Sequence, residues 1–215
     1  MAAPTDSTDS PASTGDRPRN ARGEGGKLRT EILEAMLRLI ADEERMRPIP
    51  LSLREVAKEA NITAPSIYRH FPDKESLSRA AVHSLFDQLL AAMDRADDEA
   101  AGDSAAQRFA AIAHGYCRFA QDNPGGFRLI FTVPPEFLGD EGPDTTEVAE
   151  RWHAAVTRLA AEGMRLTQSP QEGALSLWSA VHGRLMLDMS VRDVWPQGGV
   201  HEFIEELTRS VTTID

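Results

Sequence analysis

The chain of 215 residues carries 23 Lys and Arg against 34 Asp and Glu, a formal net charge of -11 that does not suggest a nucleic-acid partner. Its 41% hydrophobic residues suffice for a sizeable core, and no stretch reaches the roughly 18 consecutive apolar residues of a membrane helix. A single cysteine, Cys117, excludes an intrachain disulfide and a thiolate metal cluster within one chain. The N-terminus lacks an apolar signal segment, so we expect a cytoplasmic protein with no membrane partner. No metal-ligand spacing or cofactor motif occurs, so we predict no metal and no cofactor.

The charge is distributed unevenly along the chain. Residues 17–79 carry a net charge of +3, whereas residues 80–215 carry -11. The basic part begins with a run that only Glu24 opposes: Arg17, Arg19, Arg22, Lys27 and Arg29. Residues 1–26 offer no large apolar side chain after Met1, so burial cannot offset the entropy of ordering them, and we predict a disordered tail with a basic end. A domain at 27–72 could therefore still bind nucleic acid.

Apolar spacing and helix start signals predict an all-α chain with no credible strand. Ser52, Asp73, Ser104, Asp144 and Ser169 are the predicted caps. The helix that follows Asp73 is about 40 Å long at 1.5 Å per residue, enough to join two lobes. A loop is predicted at 132–143, and helices at 28 to 45–47, 53–60, 64–70, 74–101, 105–122, 127–131, 145–162, 170–190 and 200–214.

Residues 52–74 form the densest motif. Two short helices meet at Asn61, a residue that readily adopts the left-handed turn conformation, and Thr63 caps the second helix with Pro65 in its first turn. The size is that of a helix-turn-helix, whose second helix enters the major groove of DNA. Spacing alone fits a plain helical hairpin equally well, and the local positive charge with the basic run favours DNA.

The residues of this motif resemble a known family. Residues 51–60 (LSLREVAKEA), 61–71 (NITAPSIYRHF) and 72–77 (PDKESL) are similar to the N-terminal DNA-binding domain of TetR-family transcriptional regulators of the AcrR-like type. Asn61 is the one notable departure, because the family usually has Gly there. The resemblance implies operator contacts, mostly to phosphates, from Ser52, Thr63, Ser66, Tyr68, His70 and Lys74. The helix-turn-helix interpretation and the basic run add Arg22, Arg54, Ala64, Pro65 and Arg69.

Residues 73–215 are predicted to form an effector-binding and dimerisation domain, similar in layout to the C-terminal domain of the same family. Trp178-Ser-Ala-Val-His182-Gly183 resembles the Trp-x-x-x-His-Gly signature of one C-terminal subfamily. Each aromatic side chain alone is more often a plain core residue, so the prediction of a cavity rests on the whole cluster. Its expected lining is Phe109, Tyr116, Phe119, Phe127, Phe131, Trp152, Trp178 and Met186, with His114, His153 and His182 as polar groups that orient a small-molecule effector.

The predicted helix at 170–190 is apolar almost all round over 174–189, more than a chain of this size needs to bury, and the last helix adds a second apolar stripe. We therefore predict a homodimer in which these two helices of each chain form a four-helix bundle, with Gly183 allowing close approach. The alternative is an ordinary central helix in the core of one chain.

Together these features predict a sequence-specific, ligand-responsive transcriptional regulator, a repressor that a partly apolar small molecule releases from its operator. Two alternatives remain open: a helical small-molecule binding protein without DNA readout, and an adaptor that binds proteins through its acidic face. An enzyme is not predicted, because the chain has no zincin helix, nucleophile elbow, phosphate-binding glycine loop or dinucleotide fingerprint.

Overall fold

The structure is a computed structural model that describes residues 25–41, 52–139, 142–191 and 199–213. This part of the chain is almost entirely helical, which confirms the predicted all-α fold class. The helices, numbered in chain order, are α1 Gly25–Ala41, α2 Leu53–Glu59, α3 Ala64–Ile67, α4 Lys74–Glu99, α5 Ala105–Asp122, α6 Pro124–Ile130, α7 Pro135–Leu138, α8 Thr145–Ala161, α9 Pro170–Asp188 and α10 Gly199–Val211.

Capping boxes set the starts of five helices. They lie at Ser52 for α2, Asp73 for α4, Ser104 for α5, Asp144 for α8 and Ser169 for α9. In each box the cap side chain accepts a backbone N–H of the first turn, and the side chain three residues later accepts the N–H of the cap residue. All five positions agree with the caps predicted from the sequence.

Several helix ends differ from the prediction. Helix α6 begins at Pro124 rather than at 127, while α4 and α9 end two residues early, at Glu99 and Asp188. Helix α1 begins at Gly25, ahead of Leu28, the first residue of its apolar pattern, and its predicted end at 45–47 lies outside the described residues. Helix α3 ends at Ile67 rather than at 70, because the N–H groups of His70 and Phe71 both donate to the Ile67 carbonyl at 2.9 Å and close the helix in a turn.

Two further segments have a secondary structure other than the predicted one. Helix α7 lies inside the predicted loop, with proline in its first turn, and one turn is too short to show helical periodicity. The prediction of no strand is also wrong, because β1, Arg165–Leu166, pairs antiparallel with β2, Thr212–Thr213. This ladder ends the last helix at Val211, short of the predicted 214. Two-residue strands carry no alternating pattern that a sequence could reveal.

Two apolar cores share helix α4. Leu77 and Ala81 belong to the first core and Val82 and Phe86 to the second, so the division falls within about one turn of that helix. The first core, called the head core below, joins α1, α2 and α3 to the start of α4 through Ile32, Ala35, Met36, Leu39, Val56, Ala57, Ile67, Phe71, Leu77 and Ala81. A displacement of α4 therefore acts on both cores.

Helix α5 runs through the second core. Its predicted buried face is confirmed, since Phe109, Ile112, Ala113, Tyr116 and Ala120 are all buried. Gly115 allows α5 to approach α4 closely, because a Cβ there would lie 2.7 Å from the carbonyl oxygen of Ala92. Cys117 is buried on the same helix, and burial raises the pKa of its thiol to about 12.

Candidate DNA-binding face and effector site

The predicted DNA-contacting residues that the structure describes are exposed or partly exposed to solvent. Ser52, Arg54, Thr63, Pro65, Tyr68 and Arg69 are exposed, and Ala64, Ser66, His70 and Lys74 are partly exposed. Tyr68 is notable among them because 56% of this large aromatic residue faces solvent. The remaining predicted contact, Arg22, lies outside the described residues. The structure therefore leaves all ten described side chains available to a partner.

The turn between α2 and α3 has the geometry of a Schellman motif. Asn61 has φ 53°, in the left-handed region, as its residue type predicted. The N–H of Ile62 donates to the Ala57 carbonyl at 2.9 Å, and the N–H of Asn61 donates to the Lys58 carbonyl at 3.1 Å. These bonds satisfy the last carbonyls of α2 and fix the direction in which α3 leaves it.

Thr63 is the N-cap residue of α3, but its side chain does not cap the helix. Its hydroxyl instead lies 2.9 Å from the Ser66 hydroxyl, one turn along the helix. The pair places two hydroxyl groups side by side at the start of the short helix that the motif assigns to the major groove. Hydroxyl groups both donate and accept, so they suit phosphate and base-edge contacts.

Buried residues hold this face in place from behind. Ile67 is fully buried, and the Arg29 guanidinium of α1 lies 4.7 Å from the centre of the buried Phe71 ring. An ion pair of 2.8 Å between Arg38 and Glu59 ties α1 to α2. The candidate DNA-binding face is thus supported by packing among residues that are not its predicted DNA contacts.

The start of α4 completes the face. The Asp73 carboxylate accepts the Ser76 backbone N–H at 2.7 Å. Hydrogen bonds from the backbone and side chain of Ser76 hold the pKa of Asp73 below its usual value, so the cap stays charged near neutral pH. This cap places Lys74 at the first residue of α4. A phosphate bound by Lys74 would therefore pull directly on the end of α4.

The effector domain contains one connected aromatic cluster centred on Tyr116. The Tyr116 ring centre lies 5.3 Å from that of Phe127 and 5.6 Å from that of Trp152. Phe109 joins through Trp152 at 5.8 Å, and Phe131 joins through Phe127 at 5.0 Å. Further contacts bring Trp178 to Phe131 at 6.2 Å and His182 to Phe131 at 4.6 Å. Six of the eight predicted lining residues therefore meet in one place, together with His182.

The other predicted lining residues have different surroundings. Met186 is partly buried against the same core. Phe119 instead lines a groove of about 390 Å³ between α4 and α5, together with Gly115 and charged side chains such as Arg95. Of the two additional histidines, His114 is partly buried on α5 and His153 is exposed on α8, so His153 does not orient a molecule in the cluster.

Two hydrogen bonds connect the polar atoms of the cluster. Trp178 Nε1–H donates to the Tyr116 hydroxyl oxygen at 3.0 Å, and that hydroxyl lies 2.9 Å from His182 Nδ1. A hydroxyl oxygen can accept two hydrogen bonds, so the imidazole tautomer decides whether Tyr116 or His182 is the donor in the second bond. Burial lowers the pKa of His182, which favours the neutral imidazole.

The sequence predicted that these residues line one cavity, but it did not reveal their hydrogen bonds. Trp178 and His182 are four residues apart on α9, so they share one helix face, and that spacing was visible in advance. The partner on α5 was not visible, because nothing in the sequence sets the rotation of α5 relative to α9.

A second groove, of about 290 Å³, lies between α4 and α8 and is lined by charged side chains. Asp97 accepts hydrogen bonds from Arg108 of α5 at 2.8 Å and from Arg158 of α8 at 3.0 Å. No group of three or more His, Cys, Asp or Glu that could hold a metal ion occurs among the described residues. Within the same ranges, no helix has the length and apolar character needed to cross a membrane.

Family comparisons match both parts of the chain. The model described as "Bacterial regulatory proteins, tetR family" matches residues 49–81, and the model described as "Tetracyclin repressor-like, C-terminal domain" matches residues 109–211. The chain belongs to the TetR family. The first match contains the helix-turn-helix, and the second contains the aromatic cluster with Trp178, His182 and Gly183.

Individual relatives of this TetR-family chain agree with that assignment. A helix-turn-helix-type transcriptional regulator of Mycobacterium tuberculosis, named as uncharacterized, is 29% identical over 142 residues, which are 65% of this chain and 62% of that protein. The chain thus spans less than two thirds of this curated relative. A solved structure from Rhodococcus sp. RHA1, of unknown function, has a TM-score of 0.70 at 26% identity and covers 86% of this chain and 96% of that one. A TetR-family regulator from Haemophilus influenzae has a TM-score of 0.62 at 20% identity over 89% of this chain and 100% of its own, which shows the shared fold.

Proposed function

We propose that this TetR-family protein regulates transcription as a homodimer that binds operator DNA and leaves it when a small-molecule effector binds. The observation that carries the proposal is the helix-turn-helix, in which Thr63, Ser66, Tyr68 and Lys74 are exposed or partly exposed while the helices that carry them pack on a buried core. We propose that the protein represses transcription rather than activates it, because an operator-bound dimer blocks access to the DNA that it covers.

The route from effector to DNA runs through α4. Its first residue, Lys74, lies on the DNA-binding face, and Phe86 in its middle contacts Phe131 of the aromatic cluster at 6.3 Å. A dimer must hold its two recognition helices roughly 34 to 36 Å apart to fit successive major grooves. An effector that favours another arrangement of the cluster would shift α4 and change that spacing.

The surface of α9 supports the homodimer. Leu177, Val181 and Leu185 are buried inside the chain, whereas Leu175 and Leu187 of the same helix are 59% and 53% exposed. Helix α9 thus has more apolar surface than the core of one chain covers. A Cβ at Gly183 would meet no neighbouring atom within 4 Å, so that position has room for an approaching helix. A central helix of a monomer core would account for the buried face alone.

The distribution of charge is compatible with DNA binding despite a net charge of -11. The acidic excess lies in residues 80–215, while residues 17–79 carry +3. Ionic screening at physiological salt acts over a Debye length of about 8 Å. The attraction of DNA phosphates bound at residues 17–79 therefore depends mainly on the charges of that segment. We expect weak non-specific affinity and a steep loss of affinity with salt.

The decisive experiment is a binding assay with DNA from the promoter region of the protein's own gene. Tyr68→Ala and Lys74→Ala are expected to weaken specific binding at least tenfold, and Lys74→Ala also to reduce the salt slope by about one. Arg209→Ala, an exposed charge on α10, serves as the matched control and leaves binding unchanged. Equal affinity of wild type and both head variants, or no salt-dependent specific binding, would contradict the proposal.

A further inference from the structure

Two carboxylates flank the predicted phosphate contact at the start of α4. Lys74 lies between Asp73 and Glu75 in the sequence, so this turn carries more negative than positive charge. The Glu75 side chain is 64% exposed, and its carboxylate would repel a phosphate bound at the neighbouring Lys74. DNA binding at this turn therefore benefits from a further cation that offsets Glu75.

Arg79 supplies that cation. It lies one turn after Glu75 on α4, and its Nη2 donates to Glu75 Oε1 at 3.0 Å. Hydrogen bonds from Ser76 and, to a smaller extent, the charge of Arg79 lower the pKa of Asp73, so the positive charge acts on both carboxylates. Exposed ion pairs at this helical spacing are weak by themselves, so a further contact is needed to hold Arg79 in place.

The effector domain makes this further contact through α7. Arg79 Nε donates to the Phe137 carbonyl oxygen at 2.8 Å, and the guanidinium carbon lies 5.9 Å from the centre of the Phe137 ring. Helix α7 packs in the second core, where Leu138 is buried. A guanidinium has several donors in one rigid plane, so it can make both bonds at once. One side chain thus joins the effector domain to a carboxylate beside the DNA-binding face.

The chain after α7 also contacts α4. Gly142 lies against the His83 ring with no room for a β-carbon, and its φ of 95° is in the region that favours glycine. His83 is one turn after Arg79 on α4. The two contact points lie on either side of Ala81 and Val82, where the head core gives way to the second core. Movement of α7 would therefore act on α4 at the junction of the two domains.

We propose that Arg79 is a positioning residue for operator binding: held by α7, it neutralises Glu75 and so allows a phosphate to approach Lys74. Displacement of α7 would leave the ion pair without its second contact, and Glu75 would then repel the DNA. The effector domain would thereby control DNA affinity through local charge as well as through the spacing of the recognition helices. This inference rests on the proposed function, because operator binding is the property that Arg79 adjusts.

The first test measures fluorescence anisotropy of labelled DNA from the promoter region of the protein's own gene, with the full chain at low salt. Arg79→Ala should weaken binding about fivefold, because each head of a dimer then holds an unopposed carboxylate roughly 8 Å from a phosphate. Arg79→Gln keeps a donor for the Phe137 carbonyl and lacks only the charge, so it should weaken binding equally. Adding Glu75→Gln to Arg79→Ala should restore wild-type affinity, which no loss of folding would allow.

Arg95→Ala is the matched control, because it removes the same charge from an exposed position roughly 24 Å further along α4 at 1.5 Å per residue. Its affinity should equal that of the wild type. The salt slope gives a separate readout: Arg79→Ala should leave the slope unchanged, whereas Lys74→Ala lowers it by about one. A slope lowered by about one in Arg79→Ala would show that Arg79 itself binds a phosphate, and the inference would be wrong.

The contribution of α7 is tested with Phe137→Ala, which removes the ring that contacts the guanidinium. This change should weaken DNA binding of the wild type about twofold and leave the affinity of Arg79→Ala unaltered, because the side chain that it positions is then absent. Circular dichroism checks that each variant is folded.

Three further results would overturn the inference: wild-type affinity in Arg79→Ala, no recovery on adding Glu75→Gln, or an equal effect of Phe137→Ala with and without Arg79. Each of them presupposes that the wild type binds the promoter DNA. Absence of binding by the wild type itself would overturn the proposed function as well, so the two failures are distinguishable.

Discussion

Gly125, the second residue of α6, lies directly against the carbonyl oxygen of Ile40 near the end of α1, with no room for a β-carbon between them. Helix α6 belongs to the effector domain, and α1 belongs to the head. The same short helix carries Phe127, whose ring centre is 5.3 Å from that of His182. Helix α6 is therefore in contact with the aromatic cluster at one end and with the head at the other.

Gly125→Ala should destabilise the protein. The methyl group would overlap with a backbone atom of α1, which cannot turn aside as a side chain can, and overpacking of this kind costs about 1–3 kcal/mol. Urea unfolding measures the change in the free energy of unfolding. Gly26→Ala is the control, because the position is helical and no atom lies within 4 Å of the added Cβ, so this change should be neutral or slightly stabilising. Equal destabilisation by both changes would refute the assigned contact.

The free energy of unfolding should depend on pH through His182. Burial lowers the pKa of this residue in the folded state, while the unfolded chain has the ordinary value of about 6.5. As pH falls through 6.5, the unfolded chain takes up a proton before the folded chain does, so stability is full above that pH and declines toward the folded pKa. His182→Gln should remove this contribution, and denaturant titrations from pH 8 to pH 5 compare the two curves. Parallel curves would show that His182 does not titrate in this way.

The left-handed conformation of Asn61 predicts opposite effects for two substitutions. Asn61→Ala should cost about 1 kcal/mol, because a β-carbon is unfavourable at φ 53°, whereas Asn61→Gly should be neutral or stabilising. Thermal unfolding of the three proteins checks the order. If Ala and Gly behave alike, the turn between α2 and α3 does not have this geometry.

The exposed apolar face of α9 predicts the effect of a charge on assembly. Leu187→Arg places a cation on a surface that we propose is buried between two chains, so the dissociation constant of the dimer should rise at least tenfold. Analytical ultracentrifugation measures this constant, and unchanged circular dichroism shows that the chain still folds. Ala161→Arg, at the exposed end of α8, should leave assembly unaltered.

Local sequence signals predicted much of the fold, because helix starts depend on a few neighbouring residues. Ser104 and Ser169 marked their helices correctly, and Asn61 marked the turn. Features that need distant partners were missed: the β1–β2 ladder, and the bond from Trp178 to Tyr116. Aromatic residue type alone also could not separate Phe119 from the cluster, because it shows burial without showing which side of α5 is buried.

The burial of Cys117 makes its thiol a reporter of opening motions in this protein. Burial raises the pKa of the Cys117 thiol to about 12, so little thiolate forms at pH 8, and the buried position also blocks reagents. Labelling by a thiol reagent should therefore proceed only when α5 separates from its neighbours. Since the chain has one cysteine, every labelling event reports the same site, and an effector that tightens the domain would slow the reaction without any added probe.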